Sequence, residues 1–356
     1  MAAGRCKTGE TEDGRMTAKL PQSLTQGQRV TLRTIAEVTG LSLSTVSLSL
    51  RGGTTLKQET RDKVAAAAQA LGYVPDRAGV RLRTGKTNVI ALVLDSAEDS
   101  IDFARQMIQG IGSAIRGSRY HLTVMPEFER NLSADTIAYV LANRTADGVI
   151  ITHTAPRDRR VQMLIDAGFP FVTHGRTEFY TPHAYHDFHS EAFATLAVER
   201  LASKGCRKLL LVIGDDSTTN YHNIVTTLHR ATARAGIEAV VLDGSQKRSA
   251  AEMRQLGLAV AQNPDRPDGI ICDSEMRTIA LMGGLQDGGL VIGQGIELVY
   301  KQTSDILPSL FPGLDSIRED VFAAGVELTR LLLKRIEGAA PESLQTLAEP
   351  VPHWRS

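Results

Sequence analysis

The chain has 356 residues, with 40 basic and 40 acidic side chains, 42% hydrophobic and 22% charged residues. That is the make-up of a globular protein with room for two or three domains. Its continuous apolar runs are only strand-sized, which excludes a transmembrane helix, and the polar first twenty residues hold no secretory signal. The three cysteines, Cys6, Cys206 and Cys272, are too far apart for a Cys-x-x-Cys metal site, and their odd number suits no disulfide framework. A reducing, cytoplasmic location is expected.

The zero net charge conceals an asymmetry. Residues 29–86 carry ten Lys/Arg against four Asp/Glu, whereas residues 87–356 carry 26 against 33. A small basic module joined to a larger acidic body suits a nucleic-acid binder with a separate control domain, because phosphate contacts need clustered cations.

Residues 1–28 are polar without a hydrophobic period and are expected to be a disordered tail. Residues 29–75 read as three short helices. Thr31 is placed to cap the first, Leu32 to Thr39, and Gly40 to stop it. The second runs from Leu43 or Ser44 to Leu50, with Val46 and Leu50 inward. The third spans about Lys57 to Leu71. Ala36, Gly40 and Val46 supply the small residue, the turn glycine and the locking aliphatic that a helix-turn-helix needs. The second helix leaves Ser44, Thr45 and Ser47 outward, where hydroxyls can reach phosphates and base edges.

The stretch VTLRTIAEVTGLSLSTVSLSL at 30–50, with Thr60-Arg61 and Leu71-Gly72-Tyr73-Val74-Pro75, resembles the LacI/GalR family of bacterial transcription regulators. The resemblance implies an all-α headpiece whose DNA-facing residues are Thr31, Leu43, Ser44, Thr45, Ser47, Leu48, Arg51 and Thr60. Where many members carry a guanine-reading Arg, this chain has Leu48, which cannot donate a hydrogen bond but can pack on a thymine methyl, so the operator sequence does not transfer. Residues 76–87 resemble the family's hinge helix, which orders on DNA and wedges a leucine into the minor groove. Leu82 takes that position, with Arg83 beside it for phosphate.

From residue 88 to 345, aliphatic runs such as Val89 to Leu94, Leu209 to Ile213 and Gly269 to Cys272 alternate with helical stretches, as in parallel sheets covered on both faces. This is similar to the family's α/β two-lobed, periplasmic-binding-protein-like effector domain, split here about Asp187. A late helix, Arg318 to Ile336, is expected to return to the first lobe, and residues 346–356 to form a C-terminal tail. Strand carboxyl ends are where ligands meet such sheets. Those ends offer Asp95 and Ser96, Thr152 and His153, His174 and Arg176, Asp215 and Asp216, Asp273 and Glu275, and Lys301 and Gln302. Of these, Asp95, Ser96, His153, Arg176, Asp273, Glu275 and Gln302 are the effector-binding candidates. The family's usual Arg and Asp ligand clamp is replaced by Ile224 and Gln302.

His183, His186 and His189 have a spacing that suggests metal, but they sit in a loop entering a strand without a zinc-type framework, so no metal or cofactor is expected. Neither a nucleophile elbow nor a phosphate loop is present, which argues against an enzyme. The combined expectation is a homodimeric repressor that binds a pseudopalindromic double-stranded operator under control of a small-molecule effector, such as a sugar, with no membrane partner. A periplasmic-type solute-binding protein without a DNA role would share the body but has no use for residues 31–86.

Overall fold

The computed structural model describes residues 30–51, 55–73, 81, 84–95, 101–127, 134–242, 244 and 248–355, except for the side chains of Asp95 and Ile101. The chain divides after Gly85 into two compact units.

The first unit holds α1 (Leu32–Thr39), α2 (Leu43–Ser49) and α3 (Gln58–Ala70). Ile35, Val46 and Val64, one from each helix, are wholly buried, and Ala68 closes the small core. Leu50, expected inward, is instead the C-cap of α2 and is 37% exposed.

The second unit contains two sheets. The first contains β1 (Val89–Asp95), β2 (His121–Glu127), β3 (Gly148–Ile151), β4 (Phe171–His174), β5 (Tyr185–Phe188) and, from the end of the chain, β12 (Gln345–Ala348). Its order is β12-β5-β4-β3-β1-β2, parallel throughout. The second contains β6 (Lys208–Val212), β7 (Glu238–Val241), β8 (Gly269–Cys272), β10 (Gly295–Gln302), β11 (Asp315–Arg318) and β13 (Val351–His353), with the short β9 (Val291–Ile292) beside β10. Its order is β13-β11-β10-β8-β6-β7, parallel except for β13.

Each sheet is buried on both sides, which is why its central strands are aliphatic without alternation. In β1, Ile90, Leu92 and Leu94 face one core, built with α4 (Ile101–Ile115) and α12 (Val321–Ile336). Ala91 and Val93 face the other, built with α5 (Asp135–Asn143) and α6 (Arg159–Asp166). The second sheet is covered likewise by α7 (Ser190–Ser203) and α8 (Thr219–Ala235) on one face. On the other lie α9 (Ala250–Gln262) and α10 (Glu275–Asp287). A short α11 (Ile306–Leu310) follows β10.

The chain passes between lobes three times: from β5 into α7, from β11 into α12, and from β12 into β13. Two expectations are corrected here. The late helix begins at Val321, not at Arg318, because Arg318 ends β11 and the Asp320 carboxylate caps the helix by accepting from the Ala323 N–H at 2.8 Å. Residues 346–356 are not a tail. They supply an edge strand to each sheet, and Pro352 is accommodated because β13 lies at the sheet margin, opposite Ile317.

Two helix pairs cross with backbones in contact. A Cβ on Gly110 of α4 would lie 2.2 Å from the Phe322 carbonyl oxygen, and one on Gly257 of α9 2.2 Å from that of Leu281. Backbone cannot yield as a side-chain tip can. Gly110→Ala and Gly257→Ala are therefore each expected to cost about 1–3 kcal/mol or more of stability, read as a lowered urea midpoint; an unchanged midpoint would mean that the helices can separate freely.

Candidate functional site

In the first unit, Thr31 caps α1. Its hydroxyl accepts from the Thr34 N–H at 3.4 Å, while the Thr34 hydroxyl accepts from the Thr31 N–H at 3.2 Å. Gly40 adopts φ +69°, the left-handed conformation that ends the helix and turns the chain into α2. Ser42 caps α2, accepting from the Thr45 N–H at 3.1 Å, and its hydroxyl lies 2.8 Å from those of Ser44 and Thr45. Leu43, 51% exposed, and Ser44 project at the start of α2, while Thr45, Ser47 and Leu48 are half-buried along it. Arg51 is exposed and curls back to donate from Nε to the Ser47 carbonyl at 2.6 Å. Thr60 lies in the first turn of α3, half-buried. Leu82 and Arg83 lie outside the described residues. The sequence reading did not single out Ser42, although serine before a Leu-Ser-Thr run is an N-cap signal.

In the second unit, a cavity of about 400 Å³ lies where the carboxyl ends of strands from both sheets face each other. That is a usual size and place for a small-molecule site. Of the expected residues, His153, Asp273 and Glu275 lie on its wall. Arg176 does not. Its guanidinium turns toward the first crossover, where Nε donates to Asp187 Oδ2 at 2.6 Å and Nη2 to Glu191 at 2.9 Å. Gln302 is also off the wall, buried beneath it, donating to the Ser304 carbonyl and accepting from the Ser316 hydroxyl, each at 2.9 Å. Ile224 is fully buried in the core. Asp95 ends β1 but its side chain, and all of Ser96, lie outside the described residues.

The strand-end residues His174, Asp215 and Lys301 are also on the wall, joined by Glu319 and Arg277, which the sequence did not single out. Lys301, one position before Gln302, faces the cavity because successive strand residues point to opposite faces. Its Nζ is 2.9 Å from Glu319 Oε2, and His174 Nε2 is 3.2 Å from Oε1 of the same carboxylate. Burial alone would raise the Glu319 pKa, but the Lys301 charge and the His174 and Lys301 contacts hold it well below the usual carboxylate range. Burial disfavours the Lys301 ammonium, yet the Glu319 charge keeps its pKa above the ordinary value. Arg277 pairs with Asp273 at 2.9 Å, an i,i+4 spacing visible in the sequence, and Asp273 also accepts from the Gly214 N–H at 2.9 Å. The Glu275 carboxylate accepts from the N–H groups of Thr303 and Ser304, both at 2.9 Å, and from the Ser304 hydroxyl at 2.6 Å.

Phe103 stands edge-on between His153 and His174, with centroids 5.4 and 5.3 Å away. His153 takes φ +53°, a conformation that costs a non-glycine residue energy. Buried Arg160 braces it. Its Nη2 donates to the carbonyls of Thr152 and His153 at 3.3 and 3.0 Å, while Asp158 and Glu127 balance its charge.

The three histidines near the first crossover take separate partners. His183 meets the Thr173 hydroxyl at 3.1 Å, His186 that of Thr346 at 2.9 Å, and His189 the Glu349 carboxylate at 2.9 Å. Among the described residues no group of three or more His, Cys, Asp or Glu could hold a metal ion, and no helix is long and apolar enough to cross a membrane.

The sequence model described as "Bacterial regulatory proteins, lacI family" matches residues 31–76, and that of a periplasmic binding protein-like domain matches residues 198–356. The HTH-type transcriptional regulator RafR of Escherichia coli is 31% identical over 337 residues, covering 90% of this chain and 96% of its own length. The chain belongs to the lacI family of bacterial regulatory proteins. It is a DNA-binding transcriptional regulator, with a helix-turn-helix headpiece and a two-lobed, periplasmic-binding-protein-like body. The regulator CelR of Thermobifida fusca is 26% identical over 334 residues, 90% of this chain and 96% of its own. In fold, the chain is similar to the Lac repressor dimer bound to operator and the anti-inducer ONPF, with a TM-score of 0.79 at 21% identity, covering 92% of this chain and 98% of that one. A CelR–cellobiose complex gives 0.65 at 24%, covering 92% and 99%.

Burial pushes the His183 and His186 imidazoles down to about 4 from 6.5, with His174 adding to the effect on His186. Both are neutral in the folded regulator. As pH falls from 6.5 toward 4, the unfolded chain binds protons that the folded chain refuses, so stability declines through that window by up to about 3 kcal/mol per histidine. Urea unfolding of the wild type and of His183→Gln/His186→Gln across that range checks this: the variant's stability should depend less steeply on pH, and parallel curves would contradict it.

Proposed function

We propose that this regulator is a repressor whose hold on a pseudopalindromic operator is set by a sugar-class effector in the cavity between the lobes. The observation that carries the reading is the combination in one chain of a helix-turn-helix headpiece with a two-lobed body that has a ligand-sized cavity at its strand ends. The CelR neighbour bound to cellobiose supports a sugar as effector, and the operator-bound Lac repressor dimer supports a homodimer on DNA. Two-fold protein symmetry then requires two-fold operator symmetry.

In this reading residues 29–75 are the DNA-binding headpiece, in which Leu43, Ser44, Thr45, Ser47, Leu48 and Arg51 face the duplex while Thr31 and Thr60 hold its backbone. Residues 76–87 are the hinge. Leu82 wedges the minor groove and Arg83 holds phosphate. His153, Asp273 and Glu275 contribute to effector binding, with Lys301, His174 and Glu319 beside them. The protein acts in the cytoplasm and has no catalytic role. Effector binding shifts the population of lobe arrangements by its differential affinity for them, and operator affinity follows.

The experiment is selection of genomic fragments by the purified regulator at about physiological salt, followed by sequencing. Enrichment of one palindromic site is expected; a folded protein that recovers no preferred DNA, with and without a panel of sugars, would overturn the reading. On the enriched site, Leu82→Ala should weaken specific binding much more than non-specific binding, and equal losses would remove the wedge. Arg83→Ala should lower affinity across sequences and reduce the salt slope by about 1; an unchanged slope would remove the phosphate contact.

A further inference from the structure

We propose that Glu319 sets the charge class of ligand that the cavity accepts. Its carboxylate occupies, from within the chain, the place between Lys301 and His174 where a ligand's own anionic group would sit, so the site takes uncharged polyhydroxyl ligands and rejects sugar acids and sugar phosphates. This rests on reading the cavity as the effector site.

The geometry is that of a filled anion subsite. Lys301 comes from the second lobe, at the carboxyl end of β10, and His174 from the first, at the end of β4. Glu319 lies in the crossover between β11 and α12, and all three side chains reach the cavity wall. Glu319 Oε2 lies 2.9 Å from Lys301 Nζ and Oε1 lies 3.2 Å from His174 Nε2, so the two oxygens engage the two lobes separately. The Glu319 side chain is only 4% exposed and that of Lys301 13%, so neither charge is screened by bulk water and neither is available to a ligand without breaking the pair.

The rest of the wall repeats the pattern. Among the described residues, three other-than-histidine cations line the cavity, and each is matched by a carboxylate on the same wall: Arg105 by Asp102 at 2.8 Å, Arg277 by Asp273 at 2.9 Å, and Lys301 by Glu319. Three further wall carboxylates, Asp187, Asp215 and Glu275, have no cationic partner on the wall. Asp187 is met from outside it by Arg176, and Glu275 by backbone N–H groups. An entering anion would therefore meet cations already matched by carboxylates, with the Asp215 and Glu275 carboxylates beside them on the wall. A ligand bearing hydroxyl groups meets the opposite situation. Carboxylate oxygens accept strongly from hydroxyl donors.

Thermal unfolding of the full-length wild type is measured with neutral galactose, cellobiose, sucrose and raffinose, and with anionic glucuronate and glucose 6-phosphate. At least one neutral sugar should raise the midpoint, by roughly 5 °C at a hundredfold excess over Kd, and neither anion should. In Glu319→Gln the Lys301 charge loses its internal partner, and glucuronate or glucose 6-phosphate should now raise the midpoint. Lys301→Met/Glu319→Gln removes both charges and should stay indifferent to anions, which separates an opened subsite from a loosened fold. Stabilisation of the wild type by either anion, or a folded Glu319→Gln variant indifferent to both, overturns the proposal. If no sugar of either class has an effect, the sugar-effector reading itself fails. Should Glu319→Gln not fold, the wild-type comparison between neutral and anionic sugars decides.

Discussion

The arrangement of the body depends on one buried charge, the Glu319 carboxylate at the second crossing between the lobes. Carrying a carboxylate out of water is costly, and that cost is offset chiefly by the Lys301 ammonium of one lobe, with His174 of the other 3.2 Å from its second oxygen. Hydrophobic residues of similar volume would pack at least as stably. A buried ion pair at this position is thus better understood as specifying an arrangement than as adding stability. It brings together a residue of each lobe, the cavity wall and the chain entering α12.

Around that centre, the contacts that join the lobes among the described residues include Phe188 of β5, which packs into the second lobe's core beneath the Lys301 ammonium, the Arg176–Glu191 pair, and local hydrogen bonds. The Thr219 N–H donates to the Thr154 carbonyl at 2.8 Å, Gln106 of α4 donates to the Thr303 carbonyl, and His189 and Glu349 link the first and third crossings. Apart from Phe188, the large hydrophobic clusters lie within one lobe each. Lobe interiors resist deformation while the junction can change by exchanging a handful of hydrogen bonds, which is the division of stiffness that hinge motion needs. A ligand whose hydroxyls enter this junction competes for or extends those same bonds, so its affinity depends on the lobe angle.

What could be seen in the sequence followed from burial. Strands covered on both faces are aliphatic runs, and β1, β6 and β8 were legible to within a residue. The headpiece was legible because caps and turn glycines act locally: Thr31, Gly40 and the bounds of α1 follow from a few adjacent residues. The crossings were not. Residues Asp315–Arg318 and Gln345–Ala348 form strands whose sequences carry little apolar pattern, since one or both of their faces meet polar or partly open surroundings. Merging β11 with α12 hid Glu319 inside a supposed helix. A similar limit applied at β10, where pointing Gln302 rather than Lys301 into the cavity is an error of one residue, and in a strand one residue reverses the face. Arg160 was missed for a different reason: its partners Glu127, Asp158 and the carbonyls of Thr152 and His153 converge only in three dimensions.

The link between cavity and DNA is tested most directly by operator affinity at fixed salt, with and without a sugar already known to raise the body's thermal midpoint. If cavity and headpiece are coupled through the lobe angle, saturating that sugar changes the operator Kd by about 5- to 150-fold, the span expected of such coupling. The operator in turn shifts the sugar's affinity by the same factor. A sugar that fills the cavity and leaves operator affinity unchanged would contradict the coupling.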